Sequence, residues 1–290
     1  MSLAALDWIT DCIVAAVERR EAVGAVPLTF LLRRYRATGR ADLHALLEPA
    51  LAQGLDDHRD DSTTTARAEW LTLFAEAAEL SEDDALRDAA QNLASALQRE
   101  WGRSVSVDSG AATVEACLVW GRGHQHDLVV VAVDELERIV AAAYEPEEGL
   151  RRLASRSCWE SGYLTDHVGL SSALLAAYET TGRLPYPMLA EELMQFARRA
   201  LWDDEQARFR TTASGEEASF ALSCRAISVL CRLAALRTDA EYREAVSVAP
   251  GVGYGDLAER LLATEARRYQ DEGVASAAYG LALAEWLALP

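Results

Sequence analysis

Residues 163–202 decide the fold, and they read YLTDHVGLSSALLAAYETTGRLPYPMLAEELMQFARRALW. Apolar side chains at Leu170, Leu174 and Tyr178 recur at helical spacing, which predicts a helix with one buried face. Gly182 supplies the left-handed residue that ends a helix, and the two prolines after it suit the first turn of another. The stretch therefore predicts two antiparallel helices, an αα-hairpin.

The same hairpin recurs along the chain when the turn is used as the reference point. Comparable turns fall near residues 38, 81, 123, 181 and 237. A spacing of about 40 to 60 residues indicates a repeat of supersecondary units. The first helix and the last, at residues 273–289, remain outside these five hairpins, and we expect them to pair as a sixth. The segment 252–270 is also helical in pattern, and this count leaves it outside the ring.

Closure of the array follows from the character of the last helix. A unit of two helices cannot bury its own apolar face, so neighbouring units must stack, and an open stack needs polar helices at its ends. The last helix is apolar or small nearly all round, which is the opposite of a polar cap. The predicted fold class is therefore all-α, an (α/α)6 barrel or toroid of helical hairpins, in one domain over residues 1–290.

The charge balance excludes one class of partner. The formal net charge is -18, from 46 acidic and 28 basic residues, and every base is arginine. Nucleic acid is a poor partner for such a surface, because phosphate binding needs clustered positive charge. The absence of lysine has two open explanations, a GC-rich coding bias or adaptation to salt.

The remaining composition concerns location and cofactors. No apolar stretch reaches the roughly 18 residues of a membrane span, and the first helix lacks a basic leader, so we expect neither a membrane protein nor a secreted one. Five scattered cysteines without a C-x-x-C pair are typical of a reducing cytoplasm. We expect no cofactor and no metal, since His124 and His126 lack a third ligand. The oligomeric state stays open.

Two short motifs carry a resemblance to a known family. Leu-Thr-Asp-His at 164–167 and Tyr-Glu-Thr-Thr-Gly at 178–182 resemble the helical-barrel portion of the thioredoxin-domain-containing, spermatogenesis-associated proteins. That family is similar to N-acylglucosamine 2-epimerases and six-hairpin glycosidases, so the resemblance implies a barrel directed at a small carbohydrate. Asp57 and His58 are similar to the family's Asp-His element. The family's thioredoxin domain is absent, and residues 59–62 and 65–68 replace its glycine-rich and Pro-His-Phe-Glu elements.

The expected site lies at one rim of the ring. The inner helices begin at the rim that carries the loops between hairpins, which we call the loop rim, and their free amide donors converge there. Arg225 and Glu217 are among the polar residues near those helix starts. The candidate catalytic residues are His167, Asp166 and His58, and the candidate substrate-binding residues are Arg67, Trp70, Trp159, Tyr163 and Glu69.

Each candidate also has a structural alternative. Asp166 suits a helix N-terminus, His58 a solvated loop, and the tryptophans a core. His167, with an ordinary pKa of about 6.5, is the expected proton carrier. Epimerisation would use His58 and His167 as two acid–base groups, whereas hydrolysis would use two carboxylates about 5–9 Å apart, such as Asp166 with Glu69 or Glu217. A sugar-directed enzyme and a non-catalytic binding or scaffold toroid both remain open.

Overall fold

The computed structural model describes residues 3–81, 83–102, 106–146, 148–151, 163–245 and 253–290. The helices of this part are α1 (Leu3–Glu18), α2 (Ala25–Thr38), α3 (Ala41–Asp57), α4 (Thr64–Ala78), α5 (Asp84–Gln98), α6 (Val107–His124), α7 (His126–Ala143), α8 (Leu164–Thr181), α9 (Pro185–Leu201), α10 (Phe220–Thr238), α11 (Ala240–Ala245), α12 (Tyr254–Glu265) and α13 (Ala277–Leu287). A 3-10 turn at Gly273–Ser276 leads into α13. No helix in these ranges is long and apolar enough to cross a membrane.

Six helices form a closed inner ring. Each of α2, α4, α6, α8, α10 and α13 packs on the next, and α13 returns to α2. The outer layer consists of α3, α5, α7 and α9, each packed on the inner helix before it, together with α12 and α1. Because α1 packs on α13, the first and last helices form the sixth hairpin. The predicted (α/α)6 toroid is confirmed.

The position of one helix, α12, differs from the sequence-based prediction. The segment at 252–270 was expected outside the ring, but α12 lies in the outer layer against α10 and α13. The physical reason is that the apolar face of α12 packs on α10, beside α11. Leu257, Leu261 and Leu262 of α12 are buried and complete the fifth hairpin.

Two small β-hairpins were also not predicted. The strand β1 (Tyr144–Glu145) pairs antiparallel with β2 (Gly149–Leu150), and β3 (Trp202–Asp203) pairs antiparallel with β4 (Arg208–Phe209). Each follows an outer helix, α7 or α9, and lies on the way to the next inner helix. Both hairpins therefore lie at the loop rim. Strands of two residues leave no periodicity that a sequence pattern could reveal.

The turn of the fourth hairpin forms as its sequence predicts. Gly182 has a φ of +69°, and its N–H donates to the carbonyl of Tyr178 at 2.7 Å. At the loop rim, serine side chains cap two inner helices: the Ser219 hydroxyl accepts from the Leu222 N–H of α10, and Ser106 does the same for α6. The ends of the helices are thus set locally, which fixes both rims.

The apolar core lies between the two layers of helices rather than on the axis of the ring. Ile9 and Ile13 of α1 are fully buried, as are Leu73 of α4 and Leu230 of α10. Every helix of the inner layer also carries polar or partly exposed residues, and their side chains must point away from the interface between the two layers. The interior of the ring is the remaining place for them.

Candidate functional site

Two ion pairs identify the side chains that face the inside of the ring. Arg225 Nη2 of α10 lies 3.0 Å from Asp108 Oδ1 of α6, and Arg232 Nη1 lies 3.4 Å from Glu115 Oε1, one on each of the same helices. Helix α8 stands between α6 and α10 in the ring. The four side chains can therefore meet only through the interior, which we call the lumen.

The upper part of the lumen, near the loop rim, contains a cluster of carboxyl groups around Arg225. Glu69 of α4, Asp108 of α6 and Asp61 of the loop before α4 interact electrostatically there. Asp166 of α8 joins them, because its Oδ1 accepts the main-chain N–H of Asp108 at 3.1 Å. We call Glu69, Asp108, Asp166 and Arg225 the rim cluster.

Glu69 has an unusual position within the rim cluster. Its side chain is exposed to solvent, and the described part of the chain gives it no hydrogen bond or ion pair. Burial nevertheless raises the pKa of its carboxyl, because the surrounding protein displaces water; Arg225 opposes this shift, whereas Asp61 and Asp108 reinforce it. A group that is accessible and desolvated at once lies in a concave site. The raised pKa favours the protonated form of Glu69 more than in a fully solvated carboxyl group, whereas Asp108 is ion-paired with Arg225.

Close packing of α8 fixes Asp108 in this place. A Cβ added at Gly169 would lie 2.4 Å from Asp108 Oδ1, which no real side chain tolerates. The glycine therefore lets α8 approach the start of α6, and Asp108 reaches Arg225 across the lumen. The geometry of the rim cluster depends on this contact.

A second set of charges lies deeper in the lumen. Glu76, Glu115 and Arg232 each follow a member of the rim cluster by seven residues, which is two helical turns or about 10 Å. Arg33 of α2 bonds Glu76 at 2.6 Å and lies 3.7 Å from Glu285 of α13. Arg232 also donates to the Ser172 hydroxyl of α8 at 3.1 Å. All six inner helices contribute to this set, which we call the floor network.

His167 lies outside the lumen. It is fully buried and stacks on Phe196 of α9, with ring centroids 5.0 Å apart. Its Nδ1 lies 2.8 Å from the carbonyl of Tyr163, and its Nε2 accepts the N–H of Leu150 at 3.4 Å. Burial lowers the pKa of the imidazole. His167 therefore faces the outer layer as a neutral core residue, while its neighbour Asp166 points about 100° away along the helix, toward α6.

Two further candidates, His58 and Trp70, lie between an outer and an inner helix. The His58 Nδ1 lies 3.2 Å from the carbonyl of Gly54 at the end of α3, and its ring meets Phe74 edge-on. Trp70 is buried against Phe74, and its indole N–H donates to Asp61. Gly54 allows this packing, since a Cβ there would lie 2.8 Å from the Trp70 ring. These contacts belong to the interface of α3 with α4.

The structure does not bring His58, Asp166, His167 and Arg67 into one cleft, and His167 does not line the lumen beside Asp166. Arg67 pairs with Glu100 beyond the end of α5 at 2.7 Å, so its guanidinium is turned from the lumen. Tyr163 is the residue before α8, and Trp159 lies outside the described residues. Of the eight candidates, Glu69 and Asp166 both interact with Asp108, Glu69 electrostatically and Asp166 through the Asp108 main-chain N–H.

Sequence reasoning missed Asp108 and the whole floor network. A signal for them does exist. Three inner helices carry charged residues seven apart in otherwise apolar stretches: Glu69 and Glu76, Asp108 and Glu115, Arg225 and Arg232. Seven residues return to nearly the same helix face, so each pair must lie on one stripe. An isolated charged stripe on a buried helix predicts a polar interior.

Metal and thiol chemistry find little support in the described ranges. They contain no group of three or more His, Cys, Asp or Glu residues that could hold a metal ion. The four cysteines within them are free, and Cys117, Cys224 and Cys231 are buried. Burial raises the pKa of the Cys117 thiol to about 12, so it stays protonated and unreactive at neutral pH.

Solved structures share the fold. No family model and no curated protein matches the sequence. An unsaturated glucuronyl hydrolase specific for heparin is 12% identical, with a TM-score of 0.71 over 98% of this chain and 97% of that one. A possible member of the GH105 family from Klebsiella pneumoniae is 11% identical, with a TM-score of 0.74 over 99% and 94%. An inactive variant of an alpha-1,6-mannanase from a Salegentibacter species, in complex with alpha-1,6-mannotetrose, is 12% identical, with a TM-score of 0.64 over 90% and 87%. The fold is thus that of the six-hairpin glycosidase-like helical barrels.

Proposed function

We propose that the chain is one carbohydrate-directed (α/α)6 domain over residues 1–290, and that it hydrolyses a glycosidic bond in the upper lumen. The observation that carries this proposal is the pair of carboxyl groups in the rim cluster. Burial raises the pKa of Glu69 and so favours its protonated form, while Asp108 is a carboxylate ion-paired with Arg225. Two carboxyl groups in different environments are what glycoside hydrolysis requires.

Each residue of the rim cluster has a role in this reaction. Glu69 gives its proton to the glycosidic oxygen as the bond from that oxygen to the sugar carbon breaks. Asp108 takes a proton from the water molecule whose oxygen bonds to the same carbon, and solvent then returns the two carboxyl groups to their starting states. Arg225 holds the Asp108 carboxylate, and Asp166 holds the main chain of α6 beneath it.

The placement of the histidines supports hydrolysis over epimerisation. Epimerisation in the predicted form needs His58 and His167 on opposite faces of one sugar carbon. His58 lies between α3 and α4, and both ring nitrogens of His167 are engaged by the main chain. Neither imidazole is free in the lumen to exchange a proton with a sugar.

A toroid that binds sugar without turnover is the second candidate. It is favoured by the ion pair of Asp108 with Arg225, which occupies the carboxylate that would activate water. Under this reading the rim cluster recognises hydroxyl groups and transfers no proton. Both candidates predict a carbohydrate in the same place, so one set of variants distinguishes them.

The test is binding and turnover on a panel of mono- and disaccharides, including uronides. Binding is measured by calorimetry and turnover by NMR of the released sugar. Glu69→Gln should retain binding and reduce kcat by about 100-fold or more, because it loses the transferable proton. Glu48→Gln, at an exposed position of α3, is the matched control and should match wild type.

The outcomes separate the candidates. Wild-type turnover that Glu69→Gln abolishes and Glu48→Gln preserves supports the hydrolase. Binding that depends on the rim cluster, with no turnover by wild type, supports the binding toroid. A wild-type protein that binds none of the panel contradicts both.

Several narrower expectations remain proposals. The relation to the thioredoxin-domain-containing, spermatogenesis-associated proteins is supported by the motifs at 164–167 and 178–182 and by the shared barrel architecture. The cytoplasmic location and the lack of a cofactor are supported by composition alone. The acidic net charge supports the lack of a nucleic-acid partner.

A further inference from the structure

A separate cavity of about 310 Å³ lies at the loop rim, between β4, the start of α10 and the end of α12. It shares no residue with the rim cluster or the floor network. Its wall is mostly charged, and the charged members are Arg208, Glu217, Glu265, Arg267 and Arg268. The volume is at the lower end of the range of small-molecule sites. We call it the arginine cavity.

One oxygen of a buried carboxyl group in its wall lacks a hydrogen bond. The Glu265 side chain is 3% exposed, and its Oε2 forms no hydrogen bond within the described chain. The nearest cation is Arg268, whose Nη1 lies 3.6 Å from Oε2, beyond hydrogen-bond length. A buried carboxyl oxygen without a hydrogen bond is unfavourable for folding. A ligand hydroxyl in the cavity would remove that penalty.

The arginines leave donors available on the same wall. Arg208 pairs with Glu217, but its Nε–H is buried and has no acceptor among the described residues. The Arg267 side chain is exposed and has no ion pair in the described ranges. The Arg268 guanidinium lies 5.8 Å from the centre of the Phe220 ring, which holds it in place. The wall thus carries three guanidinium groups against two carboxyl groups, an excess of positive charge in a chain whose net charge is -18.

This combination specifies a ligand by its chemistry. Guanidinium groups bind carboxylate and phosphate oxygens through paired N–H donors. Glu265 Oε2 accepts a hydroxyl group. The cavity is too small for more than about one sugar-sized molecule. We propose that the arginine cavity binds a small hydroxylated anion, a sugar phosphate or a sugar acid, with the anionic group on the arginines and a hydroxyl on Glu265.

This site does not depend on the reaction proposed for the lumen. The rim cluster lies on the faces of the inner helices that meet inside the ring, whereas Thr264, Glu265 and Arg268 belong to the end of the outer helix α12 and the residues after it. A chain without any turnover would still have the arginine cavity. Loss of the luminal proposal therefore leaves this one standing, and the variants below separate the two.

Calorimetric titration of the full chain tests the proposal. The probes are glucose 6-phosphate, glucuronate, glucose and inorganic phosphate. We expect either glucose 6-phosphate or glucuronate to bind. Which of the two binds shows whether the arginines recognise a phosphate or a carboxylate group. Arg267→Gln should weaken that binding by about 10-fold or more, since one charge-assisted contact is lost. Arg199→Gln, at an exposed position of α9, is the control and should bind as wild type does.

Two further variants make the result decisive. Glu265→Gln should weaken the binding of the sugar anion, because it alters the contact with the ligand hydroxyl group. It should leave the binding of inorganic phosphate unchanged. Arg225→Gln, in the lumen, should leave binding to the arginine cavity unchanged. The proposal is overturned if neither sugar anion binds, if inorganic phosphate binds as tightly as both, or if Arg225→Gln removes binding while Arg267→Gln does not. Arg267 is exposed, so its variant should fold even if Glu265→Gln does not.

Discussion

Replacement of His167 by alanine tests whether this residue belongs to the core or to the site. The side chain is fully buried, and its ring stacks on Phe196. Truncating a buried ring typically costs about 3–5 kcal/mol of unfolding free energy, part of which is the cavity that remains. The carbonyl of Tyr163 also loses the imidazole donor at 2.8 Å, but it keeps the main-chain N–H of residue 167 at 3.2 Å, so this loss adds less than an unpaired buried group would. We expect His167→Ala to lower the free energy of unfolding by about 3–4 kcal/mol.

Urea unfolding followed by circular dichroism measures this change. The control is His126→Ala, an exposed histidine at the start of α7, which should stay within about 0.5 kcal/mol of wild type. His167→Asn keeps an N–H near the position of Nδ1 and should lose less than the alanine variant. A change below about 1 kcal/mol for His167→Ala would refute the core assignment, and it would return His167 to the list of proton carriers.

The same variant predicts a pH dependence. Burial lowers the pKa of His167 in the folded state below its value of about 6.5 in the unfolded chain. The unfolded chain therefore binds the proton first as the pH falls, so the contribution of the neutral histidine is complete above pH 6.5 and is lost below it. The stability difference between wild type and His167→Ala should be larger at pH 7.5 than at pH 5. Carboxyl groups such as Glu69 titrate in both proteins and cancel in this difference.

Three other predictions follow from single contacts and from the net charge. Gly169→Ala should displace Asp108, because the new Cβ would lie 2.4 Å from its carboxylate, and sugar binding should weaken; Gly123→Ala, with no close neighbour, is the control in the same titration. Arg237→Met should destabilise the fold by about 3–5 kcal/mol in urea unfolding, because Glu191 is fully buried and bonds that guanidinium at 2.7 Å. If the lysine-free surface is salt adaptation, Tm should rise with molar potassium chloride as repulsion is screened, whereas a flat Tm would leave coding bias.

The architecture could be predicted because each helical hairpin is specified by residues that are close together in the sequence. Gly39 and Gly182 both end inner helices in the left-handed region, and the apolar spacing before each gives the helix. The pairing of the first and last helices followed from the apolar character of α13. The place of α12 could not be predicted, since nothing in the sequence says which of the helices after α10 covers its outer face. That outcome depends on packing against α10.

The site was harder to predict because it depends on which face of each helix points inward. Asp166 and His167 are adjacent, yet one caps the start of α6 and the other packs on α9. A motif of neighbouring residues cannot tell these two directions apart. The pairs at spacing seven carry that information, but their meaning appears only once Arg225 and Asp108 are known to meet across the ring.

The floor network sharpens the case for Glu69. In the floor network, Glu76 and Glu115 have an arginine partner within 3.4 Å, so their burial in the ring is offset by ion pairs. Glu69 is desolvated as well, yet the described chain offers it neither an ion pair nor a hydrogen bond. A carboxyl group kept in that condition is unfavourable for folding, and such groups concentrate at functional sites. Glu69→Leu should therefore leave stability unchanged or raise it in urea unfolding, while sugar binding is lost. A Glu69→Leu variant that unfolds more easily than wild type would show that the carboxyl group stabilises the ring and would remove the main support for a site in the lumen.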